Sequence, residues 1–479
     1  MSTLKLGRRR FLEAAGLTGL AMTVAANAQA VKRKPAPTPG RKPNIIFILA
    51  DDMGYADLSC YGAQGYKTPV LDRLAEEGVK LDNAYANAAI CSPTRTALVT
   101  GRYQGRFKAG INEPNADFRP GDELPAGTPT VASLLKQQGY RTALVGKWHV
   151  CKIPEFGPQK YGYDSFFGIV GGGADYFTHG IPGYLPGKLG MYEGEQLTQR
   201  DGYLTDIIAD EAIKQIKAGG DKPLFLSLHF NAPHWPWEGP EDRAHAEKLT
   251  DFMDMAGGSL EVYAEMMKSM DANIGRVLEA LDEMGMTDDT LIVFTSDNGG
   301  ERYSNTWPLT GYKGELLEGG IRVPLIARWP GRIPAGSKSS QVLISMDTVP
   351  TFLAAAGGAT KAKLDGVNLL PQLTGQAAPV ERTLFWRYKA HDQAAVRHGN
   401  WKYLRIGGKE LLFDVARDPR ERAQLQDVHP EILADLKARW QAWNAEMLPY
   451  PPRGYSENVD WSYPDRYPMS LPNPWHERP

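Results

Sequence analysis

Short, uninterrupted apolar runs alternate along this chain with longer stretches of helical spacing. Ile45-Ile46-Phe47-Ile48-Leu49, Thr142-Ala143-Leu144-Val145, Leu224-Phe225-Leu226-Ser227-Leu228 and Leu291-Ile292-Val293-Phe294-Thr295 lack the alternation of a strand with one wet face. Bounded runs of this length read as strands buried on both sides, as in a parallel sheet. Between them, Val131, Leu134 and Leu135, and later Ile207, Ile208, Ile213 and Ile216, mark helices. The clearest helix runs from Glu261 to Met284, where Val262, Met266, Met270, Ile274, Val277 and Leu281 recur at three and four. A methionine-rich stripe of that period is a core face. The pattern predicts an α/β fold, a large mostly parallel central sheet flanked by helices, over residues 44–379.

After about Pro379 the character changes. Thr383 to Tyr388, Ala394 to Ile406 and Glu410 to Val415 read as three strands, with Gly399-Asn400 and Gly407-Gly408 as turn signals. An amphipathic helix follows from Pro430 to about Met447. Residues 380–448 are thus expected to form a small antiparallel sheet with one packed helix. The Pro-, Tyr- and Trp-rich segment 449–479 is expected to lie extended over the body. No internal repeat is present.

Composition narrows the class. With 479 residues, 42% of them hydrophobic, the chain can bury a large core. Its formal charge of −2 provides no global field for nucleic acid, so attraction for an anion has to be local. The first thirty residues differ from the rest. Arg8-Arg9-Arg10-Phe11-Leu12 precedes a mildly apolar run, Ala14 to Ala26, that ends on the small-residue pattern Ala26-Asn27-Ala28. This is similar to a twin-arginine export signal, with Glu13 where lysine is more usual, and predicts a mature start near Gln29. The basic, Pro-rich stretch to Pro43 is a linker (31–43). No segment is long and uncharged enough to span a bilayer, so a soluble periplasmic or secreted protein is expected. Three cysteines exclude a disulfide framework; Cys60 and Cys151 could pair or stay buried thiols.

Each of the four buried runs ends in chemistry. They lead into Asp51-Asp52, Lys147-Trp148-His149, Asn231-Ala232-Pro233-His234 and Asp297-Asn298-Gly299-Gly300. Ligands of open α/β sheets sit beyond the carboxyl ends of the strands, so four such tails build a site. Asp51, Asp52, Asp297 and Asn298 form an all-oxygen set that suits Ca²⁺, with Mg²⁺ second. Adjacent carboxylates repel unless a cation lies between them. His229, on a strand, reads as structural.

Between these acids stands Cys91-Ser92-Pro93-Thr94-Arg95, continued by Leu98-Val99-Thr100-Gly101-Arg102. Ser92 suits an N-cap and Pro93 a first helical turn, placing Cys91 just ahead of a helix N-terminus, where anions are favoured. The order Cys-x-Pro-x-Arg resembles the signature of the type I, formylglycine-dependent sulfatases of the alkaline phosphatase-like superfamily, including their arylsulfatase and N-acetylgalactosamine-6-sulfatase-like members. The resemblance covers residues from about Asn44 to Pro330, and the C-terminal part fits the family plan.

The resemblance implies a role for each matching position. Cys91, oxidised to formylglycine by a maturation enzyme, would be nucleophile and metal ligand beside Asp51, Asp52, Asp297 and Asn298, with a sulfoenzyme intermediate. Arg95 would hold the hydrated aldehyde and His149 would contact it. Lys147 and Lys313, the latter in Gly311-Tyr312-Lys313-Gly314, would bind sulfate oxygens. His234, with a pKa near neutral, would protonate the leaving oxygen. Thr94 departs from the commoner Ser, and Gly171-Gly172-Gly173-Ala174-Asp175 offers no assignable sulfate contact. The expected substrate is a sulfate monoester of a small molecule or glycan, a carbohydrate rather than a lipid or steroid, with aryl sulfates also hydrolysed. Trp235, Trp237 and Trp307 either stack on sugar rings or pack the pocket wall. Two other readings share the residues: a phosphate or phosphonate monoester hydrolase of the same superfamily, and a non-catalytic carbohydrate-binding relative. Intact Cys91, Arg95, Lys147, His149, His234 and Lys313 weigh against the latter.

Overall fold

The computed structural model describes residues 41–114, 121–180, 190–250 and 258–452. The expected export signal, nearly all of the linker and most of the aromatic tail lie outside these residues. The strands, in chain order, are β1 (Asn44–Ala50), β2 (Val79–Tyr85), β3 (Arg141–Gly146), β4 (Ser165–Ile169), β5 (Met191–Glu193), β6 (Gln196–Leu197), β7 (Leu224–His229) and β8 (Thr290–Ser296). They continue with β9 (Arg322–Arg328), β10 (Ser337–Ser339), β11 (Leu343–Ile344), β12 (Thr383–Tyr388), β13 (Gln393–His398), β14 (Trp401–Ile406) and β15 (Lys409–Asp414). The first eleven form one sheet, ordered β10-β2-β9-β8-β1-β7-β3-β4-β5-β6 with β11 beside β2. Its centre, β8-β1-β7-β3-β4, is parallel throughout. Antiparallel strands flank it, β9 against β8 on one side and β5 against β4 on the other.

The unbroken apolar runs have a simple cause. Successive side chains of a strand point to opposite faces, and here both faces are covered. Ile46, Ile48 and Ala50 pack into one core with residues of the helices Pro69–Glu76, Leu204–Lys217 and Leu260–Glu283. Ile45, Phe47 and Leu49 pack into the other, with residues of the helices Val131–Gln137 and Thr348–Ala355. The methionine stripe is core, with Met266, Met267 and Met270 fully buried.

The C-terminal region holds four antiparallel strands where three are expected. Ala394 to Ile406 is a hairpin: Gly399 adopts φ 55°, and β13 folds back on β14 through it. Asn400 completes a two-residue Gly-Asn turn of the kind that closes hairpins. The final helix, Pro430–Asn444, packs on this sheet through Leu436, Trp440 and Trp443. The sheet also reaches the body. Trp386 is fully buried, shares a core with Tyr85, Ile90 and Cys91, and its indole N–H donates to the Ala86 carbonyl at 2.8 Å.

A buried ionic cluster joins the two sheets. Lys402 on β14 donates to Glu318 at 3.0 Å and pairs with Glu421 at 2.8 Å, while the Tyr85 hydroxyl donates to Glu318 at 2.6 Å. Burial would raise the Glu318 carboxyl, but Lys402, Arg322 and Arg397 hold it down to about 2. Burial pushes Glu421 up to about 7 despite Lys402. Lys402→Met removes the shared cation and strands two buried carboxylates, so a loss of about 3–5 kcal/mol in urea unfolding is expected. A loss below about 1 kcal/mol would show the cluster to be dispensable.

Candidate active site

The strand order sets the site. Because β8, β1, β7 and β3 are neighbours, their polar tails emerge side by side at one sheet edge. Ala50 lies opposite Ser296, so Asp51 and Asp297 leave adjacent strands at the same level. Beyond that edge the backbone turns sharply. Asp52 adopts φ 62° and His149 φ 47°, left-handed conformations that cost a non-glycine residue free energy and cluster at functional sites. The Asp52 amide donates to Asp297 Oδ1 at 3.2 Å, and the Met53 amide to Ser296 Oγ at 3.0 Å. These bonds hold the turn in place.

Cys91 is the first residue of the helix Cys91–Thr100, and Ile90 occupies the N-cap without a side-chain cap bond. Ser92 is therefore not the cap. The start is held instead by Thr94, whose hydroxyl accepts from the Ala88 amide at 2.9 Å and donates to the Ala88 carbonyl at 3.0 Å. Burial pushes the Cys91 thiol up to about 12, outweighing the pull of Lys147 and Lys313. An unaltered Cys91 is therefore a neutral thiol and a poor nucleophile. Ligand atoms of Asp51, Asp52, Cys91 and His234 all lie within 4.8 Å of one another. Asp297 and Asn298 complete the wall: Asn298 Nδ2 donates to Asp52 Oδ1 at 2.8 Å.

Cations surround this group. Arg95, 1% exposed, donates from Nε to Asp297 Oδ2 at 2.9 Å and from a terminal nitrogen to the Lys147 carbonyl at 2.9 Å. Lys147 donates to Asp51 and to the Gly172 carbonyl, and Lys313 donates to Asp52. Asp51 is nevertheless driven well above the carboxylate range, first by burial and then by Asp297. Asp51 Oδ1 and Asn298 Oδ1 are buried acceptors with no hydrogen bond. Crowded carboxylates and orphaned oxygens are what a hard cation would relieve, so the donor set fits one.

His234 departs from the expected near-neutral acid. Burial lowers its pKa well below the usual range, and Lys313 and Lys147 lower it further. Its Nδ1 faces the Trp235 carbonyl, which fixes that nitrogen as the donor, while Nε2 lies 3.4 Å from Lys313 Nζ and 3.4 Å from Asp52. Burial would lower Lys313, but Asp52 and Glu301 raise it well above the usual lysine value. Burial also lowers His149, followed by Lys147 and Arg95. His229 is buried beside Lys147, its Nδ1 3.1 Å from that carbonyl, as a structural residue would be.

The comparisons decide the family. The profile described as Sulfatase matches residues 43–359, most of the chain. The chain belongs to the sulfatase family. A second profile, that of the N-sulphoglucosamine sulphohydrolase C-terminal region, matches residues 312–446. Human N-acetylgalactosamine-6-sulfatase is 34% identical, over 87% of this chain and 88% of its own length. Mouse steryl-sulfatase is 30% identical, over 93% and 89%. Among solved structures, Ps i-CgsB in complex with k-i-k-neocarrahexaose is 31% identical, with a TM-score of 0.76 over 85% of this chain and 94% of that one. The sulfatase is thus a sulfuric ester hydrolase with the alkaline phosphatase-like fold, the fold also seen at a TM-score of 0.63 in a phosphonate monoester hydrolase of Agrobacterium radiobacter.

Several residues of this sulfatase site carried no legible signal. Glu301 lies 3.7 Å from Lys313, and the Gly172 carbonyl accepts from Lys147. A Cβ on Gly172 would sit 3.0 Å from the His149 ring, which explains one glycine of the Gly171-Gly172-Gly173 run. Asp57 accepts from the Gly54 amide at 2.7 Å, the Asn305 amide at 2.8 Å and the Tyr263 hydroxyl at 2.6 Å. It ties the turn after Asp52 to the segment that leads to Lys313. None of these follows from spacing, because each depends on a distant partner. The tryptophans divide: Trp235 and Trp237 are buried in the core, whereas Trp307 is exposed. Among the described residues the three cysteines are free thiols, so Cys60 and Cys151 do not pair. No helix among them is long and apolar enough to cross a membrane.

Proposed function

We propose that this sulfatase is exported and removes sulfate from a sulfated carbohydrate, with Cys91 converted to formylglycine by a maturation enzyme. The carrying observation is the ring of buried cations, Arg95, Lys147 and Lys313, around Cys91 at the sheet edge. Hydrated formylglycine at Cys91 would supply an oxygen nucleophile and a second hydroxyl to drive sulfate off. A calcium ion, with magnesium second, held by Asp51, Asp52, Asp297, Asn298 and the converted Cys91, would supply positive charge opposite the sulfuryl oxygens.

The remaining work falls to side chains of this chain. Lys147 and Lys313 pull the sulfuryl group in and balance the charge that builds on its oxygens. Arg95, locked by Asp297 and the Lys147 carbonyl, orients the head of residue 91. His149 contacts the same head. The departing alcohol oxygen takes its proton from the Lys313 ammonium, which His234 orients by accepting from Nζ at Nε2, and Lys313 regains a proton from the water consumed in the reaction. The balance is one sulfate ester and one water giving one alcohol and one sulfate.

The carbohydrate substrate is supported by relatives whose names carry sugars, at 34% and 31% identity. Export is supported by the twin-arginine pattern ahead of Ala26-Asn27-Ala28. A panel of sulfated mono- and oligosaccharides, 4-nitrophenyl sulfate, a sulfated steroid and 4-nitrophenyl phosphate tests the reading. A sulfated sugar is expected to give the highest kcat/KM. A steroid or phosphate ester in first place would overturn it.

A further inference from the structure

Residues 301–312 form a loop whose two ends meet at the active site. The Lys313 amide donates to the Gly300 carbonyl at 2.9 Å, closing its base. Inside it, Asn305 is pinned by Asp57, and the Asn305 carbonyl accepts from the Ala56 amide at 2.8 Å, four residues beyond Asp52. The Trp307 amide donates to Asn305 Oδ1 at 3.0 Å. So Trp307 stands on an anchored backbone, yet 61% of it is exposed. Its partner comes from the C-terminal region. The Arg420 guanidinium lies over the indole, 4.8 Å from the ring centroid.

Arg420 is anchored as well. Thr310, in the same loop as Trp307, donates from its hydroxyl to the Arg420 carbonyl at 2.6 Å. The next residue, Glu421, accepts from the Glu318 amide at 2.6 Å and pairs with Lys402. The guanidinium is exposed, and among the described residues no carboxylate lies within salt-bridge distance of it. A single exposed tryptophan or arginine needs no explanation. Here two separately anchored segments hold a flat apolar face and an unneutralised planar cation together, the tryptophan on the loop that delivers Lys313. The guanidinium lies over the indole, and a guanidinium presents its N–H groups as a planar fork that matches sulfate oxygens. The exposed indole is a flat apolar surface of the kind that packs on the C–H face of a pyranose.

We propose that Trp307 and Arg420 form an outer subsite that holds a neighbouring sulfated sugar unit, the ring on the indole and its sulfate on the guanidinium. This rests on the carbohydrate reading and extends it: the substrate is an oligosaccharide carrying sulfate on adjacent units. The test compares kcat/KM for a disulfated oligosaccharide with kcat/KM for 4-nitrophenyl sulfate in the wild type, Arg420→Met, Trp307→Ala and Trp307→Phe. Losing a charge-assisted bidentate contact should lower that ratio about tenfold or more in Arg420→Met, mainly through KM. The same variant should flatten the rise of KM with salt. Trp307→Ala should lower the ratio comparably, and Trp307→Phe should restore most of it. An unchanged ratio, or a loss equal on both substrates, would overturn the subsite while the wild type still hydrolyses sulfated sugars. A wild type that cleaves only the aryl sulfate would overturn the carbohydrate reading itself, and the subsite with it.

Discussion

Cys91→Ala is expected to lower turnover by at least about 10⁴-fold, because in the proposed mechanism residue 91 is the reacting head. The fold should survive. Residue 91 is 3% exposed but small, and the helix start is held by the two hydrogen bonds between Thr94 and Ala88. Stability should therefore change by about 1 kcal/mol, with an unaltered circular dichroism spectrum. In active wild-type protein, mass spectrometry of the peptide containing residue 91 should show an aldehyde in place of the thiol. Full activity from protein carrying an intact thiol would refute the conversion, since a buried thiol held at about 12 is protonated at neutral pH.

Asp297→Ala is expected to lose both metal and stability. Asp297 Oδ2 accepts from Arg95 Nε at 2.9 Å and lies 2.9 Å from a terminal nitrogen of the same guanidinium as an ion pair, and Oδ1 accepts from the Asp52 amide. Without it Arg95 is a buried guanidinium whose nearest remaining carboxylate is Asp51, at 3.7 Å. Breaking a buried pair from one side costs about 3–5 kcal/mol, to be read from chemical unfolding of the metal-free protein. Elemental analysis should find calcium stoichiometric in the wild type and absent in the variant. Adding calcium should raise the wild-type Tm and leave that of Asp297→Ala unmoved. Stoichiometric zinc supporting wild-type activity would refute the assignment of the ion.

Much of the architecture was legible because it depends on local pattern. The four apolar runs became β1, β3, β7 and β8 within one or two residues, since a strand covered on both faces has no polar alternation to blur it. The methionine stripe became the helix Leu260–Glu283 for the matching reason, a period close to 3.6. The errors came from features shorter than those periods. A single residue in a left-handed conformation, Gly399, split one expected strand into a hairpin. The helix cap moved from Ser92 to Ile90 because Thr94, tied to the preceding loop, fixes where the helix begins.

By itself, the sequence determined which groups are available and which strand ends carry them: two acids, an acid and an amide, a lysine with a histidine, and a further histidine, with Cys91 and Arg95 on one helix. These follow from local order, and local order is what a chain states directly. Tertiary structure decided what each group does to the next. The order β8-β1-β7-β3 sets the acids beside one another, and their crowding with burial drives Asp51 up. Packing places Lys313 against His234 and takes His234 out of the near-neutral range expected of it. It also sinks Trp235 and Trp237 into the core while Trp307 meets Arg420 across more than a hundred residues of chain. Electrostatic and packing energies depend on distance and burial, and neither is written in the spacing of residues along a chain.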